Sequence, residues 1–407
     1  MYSSKLLLRA VNECRRVTSE TVARATTRYI VGTLGRYMST THTRATNTDK
    51  RDDHCSRKWD YQVTPFGRLI VNTGDHLDVR IESLCPDEYP HMDRFVMDAC
   101  QAGVVDVPGA GTASLLDRIE CQQQDDNIVV TVADVSGNDR CSTAECHIKI
   151  PVKFDVAVRV TGGKSVSLHV TENSYIDISV ALGCLTLHNI KTNNLRLTSG
   201  GGHISSTTLL QGNTVIQTHG QGNVTIDKPL GQVLNIETEA GDINVKSLYV
   251  DATEFITKRG SVNIGSCHGD ATVEILEKGN CNVGTVDGNL QTVVQEGNID
   301  VHIARHRHVS LTTNKGDIRI GLPEGPSTDI SLEAQGVTLD ERLNTANLLT
   351  QTNDGQTLIT GDLSTDGGVD DSCDKSSLTA QAKFGAISLQ LQNWLDALKH
   401  SGSFHKE

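Results

Sequence analysis

The apolar and polar positions of the chain repeat one unit, clearest at residues 236–245 (IETEAGDINV), where a Thr-containing strand passes through a Gly into strict alternation. Aligned on that Gly, the unit recurs at Gly183, Gly202, Gly222, Gly241, Gly260, Gly279, Gly297 and Gly316, with spacings of 19, 20, 19, 19, 19, 18 and 19. So regular a period predicts stacked coils, one repeat per coil. Two residues after each Gly stand Leu185, Ile204, Val224, Ile243, Val262, Cys281, Ile299 and Ile318; four after it stand Leu187, Ser206, Ile226, Val245, Ile264, Val283, Val301 and Ile320. Side chains alternate across a strand, so both sets point inward and stack as columns. The position between them is polar throughout, from Thr186 to Asp300 and Arg319, and faces solvent. A third inward column, five before the Gly, runs through Ile178, Leu197, Ile236, Phe255 and Leu311, with one-residue register shifts expected at Gln217, Glu274 and Thr292.

The pattern predicts an all-β chain: a parallel β-solenoid (β-helix) over 151–339, with coils of about 19 residues. Short alternating runs at 68–71, 76–81, 95–99, 128–133 and 147–150 show no period and predict an irregular β N-terminal cap over 59–150. Residues 49–58 read as linker, and the polar, Gly/Asp-rich stretch 340–377 as a loop or insertion. The pattern returns over 378–407, where Gly385, Ile387 and Leu389 make a final coil and Trp394, Leu395 and Leu398 a short amphipathic capping helix over the open end.

Aromatic residues are only 4 % of the chain, so the core must be built from Val, Ile and Leu, which favours strands. The eleven Cys form no C-x-x-C pair and are odd in number, which argues for thiols over a zinc or disulfide framework. No apolar run reaches the length that spans a bilayer as a helix. Residues 1–48 carry eight Lys/Arg and two Glu, net +6, which leaves −19 on the rest of a chain of net −13. So acidic a body repels nucleic acid. The first 48 residues also hold fourteen Ser/Thr and place Leu6, Leu7, Val11 and Cys14 on one helical face, with Arg9 and Arg16 off it. This predicts a mitochondrial targeting segment, removed near Met38 and Ser39, and a matrix location.

The stretches TEAGDINV (238–245), TKRGSVNI (257–264) and TNKGDIRIGLP (313–323) resemble an adhesin-like domain family of unknown function, whose members are parallel β-solenoids with T-x-x-G-D-I-x-V coils. Outside the repeats, PFGRL (65–69) and YPHMDRF (89–95) are similar to the animal family with sequence similarity 185. The resemblance implies the fold and no defined activity.

Candidate chemistry is sparse. His302, His306 and His308 are the one constellation with metal-ligand character, but Arg305 and Arg307 flank it and no carboxylate is interleaved. Thr161-Gly162-Gly163-Lys164-Ser165 lacks the earlier Gly of a phosphate loop, with Val158 in its place, and reads as a turn. Asn244, Asn263 and Asn282 fall at one position of successive coils and predict a side-chain ladder. Asp300 neighbours Arg319 across coils and His302 along its strand, which is short of the clustered acids of a glycan-cleaving solenoid. The expectation is a monomeric, non-enzymatic scaffold with a protein partner and no catalytic residue, cofactor or metal. The alternative is a β-helix carbohydrate-active lyase or hydrolase.

Overall fold

The structure, a computed structural model, describes residues 54–74, 77–102, 115–133, 144–323, 327–363 and 376–392. The targeting segment read over 1–48 and the capping helix with Trp394, Leu395 and Leu398 lie outside these residues. No described helix is long and apolar enough to cross a membrane.

The first strands are β1 (His54–Gln62), β2 (Arg68–Thr73), β3 (Leu77–Ser83), β4 (Arg94–Ala102), β5 (Ile119–Gln124), β6 (Asn127–Val132), β7 (Ala144–Ile150) and β8 (Asp155–Val160). The coils follow as β9 (Val166–Val180), β10 (Leu185–Ser199), β11 (Ile204–Thr218), β12 (Val224–Thr238), β13 (Ile243–Arg259), β14 (Val262–Lys278), β15 (Cys281–Glu296), β16 (Ile299–Lys315) and β17 (Ile318–Pro323). After them come β18 (Thr328–Leu339), β19 (Leu348–Asn353), β20 (Gln356–Leu363) and β21 (Ser376–Gln392).

Each coil is one long strand bent twice, so that β10 pairs with β9 over 185–188, 190–192 and 194–199. Successive coils are parallel, and Leu185, Ile204, Val224, Ile243, Val262, Cys281, Ile299 and Ile318 stand in register. The expected columns are therefore the core, with nearly every member buried. Two of the expected register shifts occur, since Ile216 and Val273 take the places of Gln217 and Glu274. The third does not: Thr292 itself pairs with Val273 and Leu311 and is fully buried. A Thr is close enough in shape to Val to fill that aliphatic column.

The cap continues two faces of the stack. The first segment of β9 pairs with β3, which leads on to β7, β4 and β1; its last segment pairs with β8, then β2, β6 and β5. The linker reading of 49–58 is corrected over 54–58, which begin β1 and pair with β4. Arg57 hid that strand. Its guanidinium donates to the Leu116 carbonyl at 3.0 Å and lies 4.6 Å over the Trp59 ring, so a charge sits where the pattern would demand an apolar residue.

At the other end, stacking order departs from chain order. β21 lies between the last coil, with which it pairs through β16 and β17, and β18, which precedes it in sequence. β20 then pairs antiparallel with β18, and β19 with β20. Between the two alternatives for 340–377, the described part is an insertion containing a hairpin, not a loop. Its turn is Asp354-Gly355, both with positive φ (50° and 76°), the pair that a two-residue hairpin turn demands.

Candidate functional site

The repeat motif accounts for its own polar residues. The Thr hydroxyls donate across the corner to the Gly carbonyls, Thr218 to Gly222 at 2.8 Å and Thr238 to Gly241 at 2.9 Å. From His203 onward, the residue after each Gly accepts from the backbone of the neighbouring coil, as Asn223 Oδ1 does from the Asp242 N–H at 2.9 Å and Asp242 Oδ1 from the Ser261 N–H at 2.7 Å. The expected ladder is present, with Asn263 Nδ2 donating to Asn244 Oδ1 at 2.9 Å and Asn282 Nδ2 to Asn263 Oδ1 at 2.7 Å. Glu239 accepts from Lys258 and from the Gly220 N–H, and Glu237 from Gln217. The outward residues of the 236–245 unit are thus committed to holding one coil on the next. These bonds satisfy groups that the corners would otherwise leave bare.

Further along the same face the ladder stops. A cleft of about 490 Å³ is lined by Asp300, His302 and Arg319 from the last two coils, by Ser388, Gln390 and Gln392 of β21, and by Thr338 of β18. Asp300 and Arg319 are register partners. Arg319 is exposed and makes neither an ion pair nor a hydrogen bond with a described residue. Gly321 is what opens the floor, because a Cβ there would stand 2.4 Å from Gln392 Cδ and 2.7 Å from His302 Nδ1. Over this gap Gln392 Nε2 reaches His302 Nδ1. His302 Nε2 lies 3.6 Å from Asp300 Oδ1. His302 thus stands between Gln392 and Asp300 in the lining of the cleft. Asp317, also in the lining, has its carboxylate on the Ala386 N–H at 2.9 Å. The arrangement suits recognition by hydrogen bonds and charge, with one guanidinium and several neutral donors beside a carboxylate.

The three candidate histidines do not converge. His302 is in the cleft, His306 is buried, and His308 Nδ1 lies 2.7 Å from Ser377 Oγ. Among the described residues no group of three or more His, Cys, Asp or Glu could hold a metal ion. His306 Nε2 is buried without a hydrogen-bond partner among the described residues, and burial, then the nearby His308, lowers its pKa below the ordinary 6.5. A histidine with a lowered folded pKa takes up its proton first in the unfolded chain. Its contribution is complete above about pH 6.5 and is lost as pH falls through the folded value. Urea unfolding at pH 7.5 and pH 5.5 is expected to show this acid loss in the native chain and less of it in His306→Phe, which at pH 7.5 should change stability by less than about 1 kcal/mol.

The thiols of the coil core are equally remote from chemistry. Cys85, Cys100, Cys121, Cys146, Cys184, Cys267 and Cys281 are free, and burial pushes Cys267 and Cys281 up to about 12. Thiols held in that range are not nucleophiles near neutral pH.

One ordered surface escaped the sequence reading. Tyr249, His268, Asp287 and Arg305 stand in register down a narrow face, with the Tyr249 and His268 rings 4.7 Å apart and nearly parallel. Lys228 Nζ lies 5.2 Å from the Tyr249 ring centre, and Arg305 grips Asp287 at 2.8 and 3.0 Å, which holds that carboxyl below its usual range. The signal was the repeat period itself, which spaces these four by 19, 19 and 18 residues. It passed unseen because their chemical types differ from coil to coil.

A family profile described as Toastrack DUF4097 matches residues 112–361. Among solved structures, a provisionally named adhesin from Parabacteroides merdae is 9 % identical, covering 82 % of this chain and 95 % of its own at a TM-score of 0.33. Another from Bacteroides fragilis is 12 % identical, covering 82 % and 97 % at 0.25. A provisionally named lipid binding protein from Parabacteroides distasonis is 9 % identical, covering 82 % and 96 % at 0.29. At these scores none of the three bears on what this chain binds.

Proposed function

The chain belongs to the Toastrack DUF4097 family, and on that premise we propose that it is a non-enzymatic, adhesin-like scaffold that holds a protein partner at the cleft around Arg319. The observation that carries this reading is a contrast. The polar residues of the repeat unit and of the narrow-face ladder are spent on neighbouring coils, whereas Arg319 presents a guanidinium without a partner among donors of the cleft. Arg is enriched where protein surfaces meet, and its planar fork suits a carboxylate. What supports the non-enzymatic side is that, of the two carboxylates lining the cleft, Asp317 already accepts from the Ala386 N–H and Asp300 faces His302 at 3.6 Å.

The same reading places the scaffold in mitochondria, on the basic, Ser/Thr-rich residues 1–48, and likens it to the animal family with sequence similarity 185 on PFGRL (65–69) and YPHMDRF (89–95). Proximity labelling from the tagged full-length chain tests compartment and partner together. The expected result is a set of matrix neighbours, of which at least one falls about tenfold with Arg319→Glu. Cytosolic neighbours would remove the compartment, and a set unchanged by Arg319→Glu would remove the cleft.

A further inference from the structure

β19 is the outermost strand at the C-terminal end, and it pairs with no described strand but β20. Its register is set by the Asp354-Gly355 turn, which puts Asn353 opposite Gln356. In a two-residue hairpin the pair flanking the turn exchanges hydrogen bonds, and the bonding then alternates along the strand. Gln351 and Leu349 therefore direct their backbone groups to β20. Thr350 and Thr352 direct theirs outward. Leu348, next in that outward series, already donates its N–H to the Thr345 carbonyl at 3.1 Å, which bounds the open edge on that side.

The edge is also undefended. Residues 349–353 are all exposed, Leu349 to 67 % of its surface, and the strand LLTQTN contains no charge and no Pro. The outermost strands at the other end of the stack differ, since β1 carries Arg57, Lys58 and Asp60 and β5 carries Glu120. Charges on an edge are what ordinarily discourage another strand from adding to it.

The outward groups of β19 complement one another. Under a two-fold axis through Gln351, Thr350 of one copy meets Thr352 of the other, and each pair exchanges both its N–H···O=C bonds. The same register sets Thr side chains across from each other, a favourable cross-strand pair, and brings Gln351 against its own copy. We propose that the chain self-associates as a two-fold dimer in which the outer edges of β19 pair antiparallel about Gln351. The expectation of a monomer rested on a helix that lies outside the described residues, and among the described strands β19 pairs on one side alone. Six residues make a small contact, so the dimer is weak, with a dissociation constant on the order of micromolar or above.

Sedimentation of the full-length chain over a range of concentrations tests the proposal. A reversible monomer–dimer equilibrium is expected, with the Thr350 and Thr352 amides gaining protection from hydrogen exchange as concentration rises. Thr350→Pro deletes an outward N–H in each copy while leaving the bonds to β20, and should weaken the dimer about tenfold or more. Gln351→Lys sets like charges face to face and should weaken it without altering any backbone donor, which keeps the test open if Thr350→Pro disturbs the hairpin. A chain that stays monomeric at hundreds of micromolar, or a dimer indifferent to Gln351→Lys, overturns the proposal. So does an edge whose amides are protected only when a different protein is added.

Discussion

Gly241→Val is expected to disrupt the stack, lowering unfolding stability by about 4 kcal/mol or more in urea titrations followed by circular dichroism. A Cβ at position 241 would stand 1.9 Å from the Gly222 carbonyl oxygen and 2.5 Å from its carbon. No real pair of atoms sits so close, and the obstacle is backbone that is itself hydrogen-bonded to its neighbours. Relief requires the corner to separate from the preceding coil, which breaks the bond from the Asp242 N–H to Asn223 Oδ1 beside it. The backbone at Gly241 has an ordinary φ, so the cause is close approach alone; Gly260, at φ +144°, adds a conformational demand. Gly201→Ala is the control. Its Cβ would meet nothing nearer than Leu182 Cδ2 at 3.5 Å, and a change within about 1 kcal/mol is expected. Equal losses for the two substitutions would refute the account of the glycine column.

Phe255→Ala is expected to cost about 3–5 kcal/mol, again by urea midpoint. Phe255 is fully buried and stands in register between Ile236 and Val273, so its removal empties one layer of a column whose neighbours are pinned by their own ladders. Collapse into the gap is resisted because coils are spaced by backbone hydrogen bonds. Phe384→Ala, at a side chain 52 % exposed, should move stability by less than about 0.5 kcal/mol. A small loss at Phe255 would mean that the column rearranges and that the packing argument fails.

The glycine column also marks where sequence reading stopped. From Gly183 to Gly316 each glycine lies on the one before it, as the spacing implied, and the column then passes to Gly385, whose Cβ would stand 2.0 Å from the Gly316 oxygen. The alternation around Gly385 was legible as a coil. That it slots between Gly316 and the earlier strand β18 was not. Likewise Asp354-Gly355 between two strand-like runs was a readable hairpin signal, masked by the polar character of the surrounding stretch. His302 and Arg319 were visible as outward residues, whereas Gln390, Gln392 and Ser388 could join them only once β21 had been placed.

Residue pattern alone sufficed for the coil, its period, its inward columns and the Asn244–Asn263–Asn282 ladder, because a period of two along a strand and a repeat near 19 between coils are local properties that each segment states for itself. The order in which coils stack is a different kind of fact. Every coil offers much the same aliphatic columns and corner bonds, so β21 satisfies β16 as well as a directly following coil would, and the pattern cannot choose between them. The choice was made by the path of the chain through β18 and the β19–β20 hairpin. That path formed the cleft and made β19 the outermost described strand at this end.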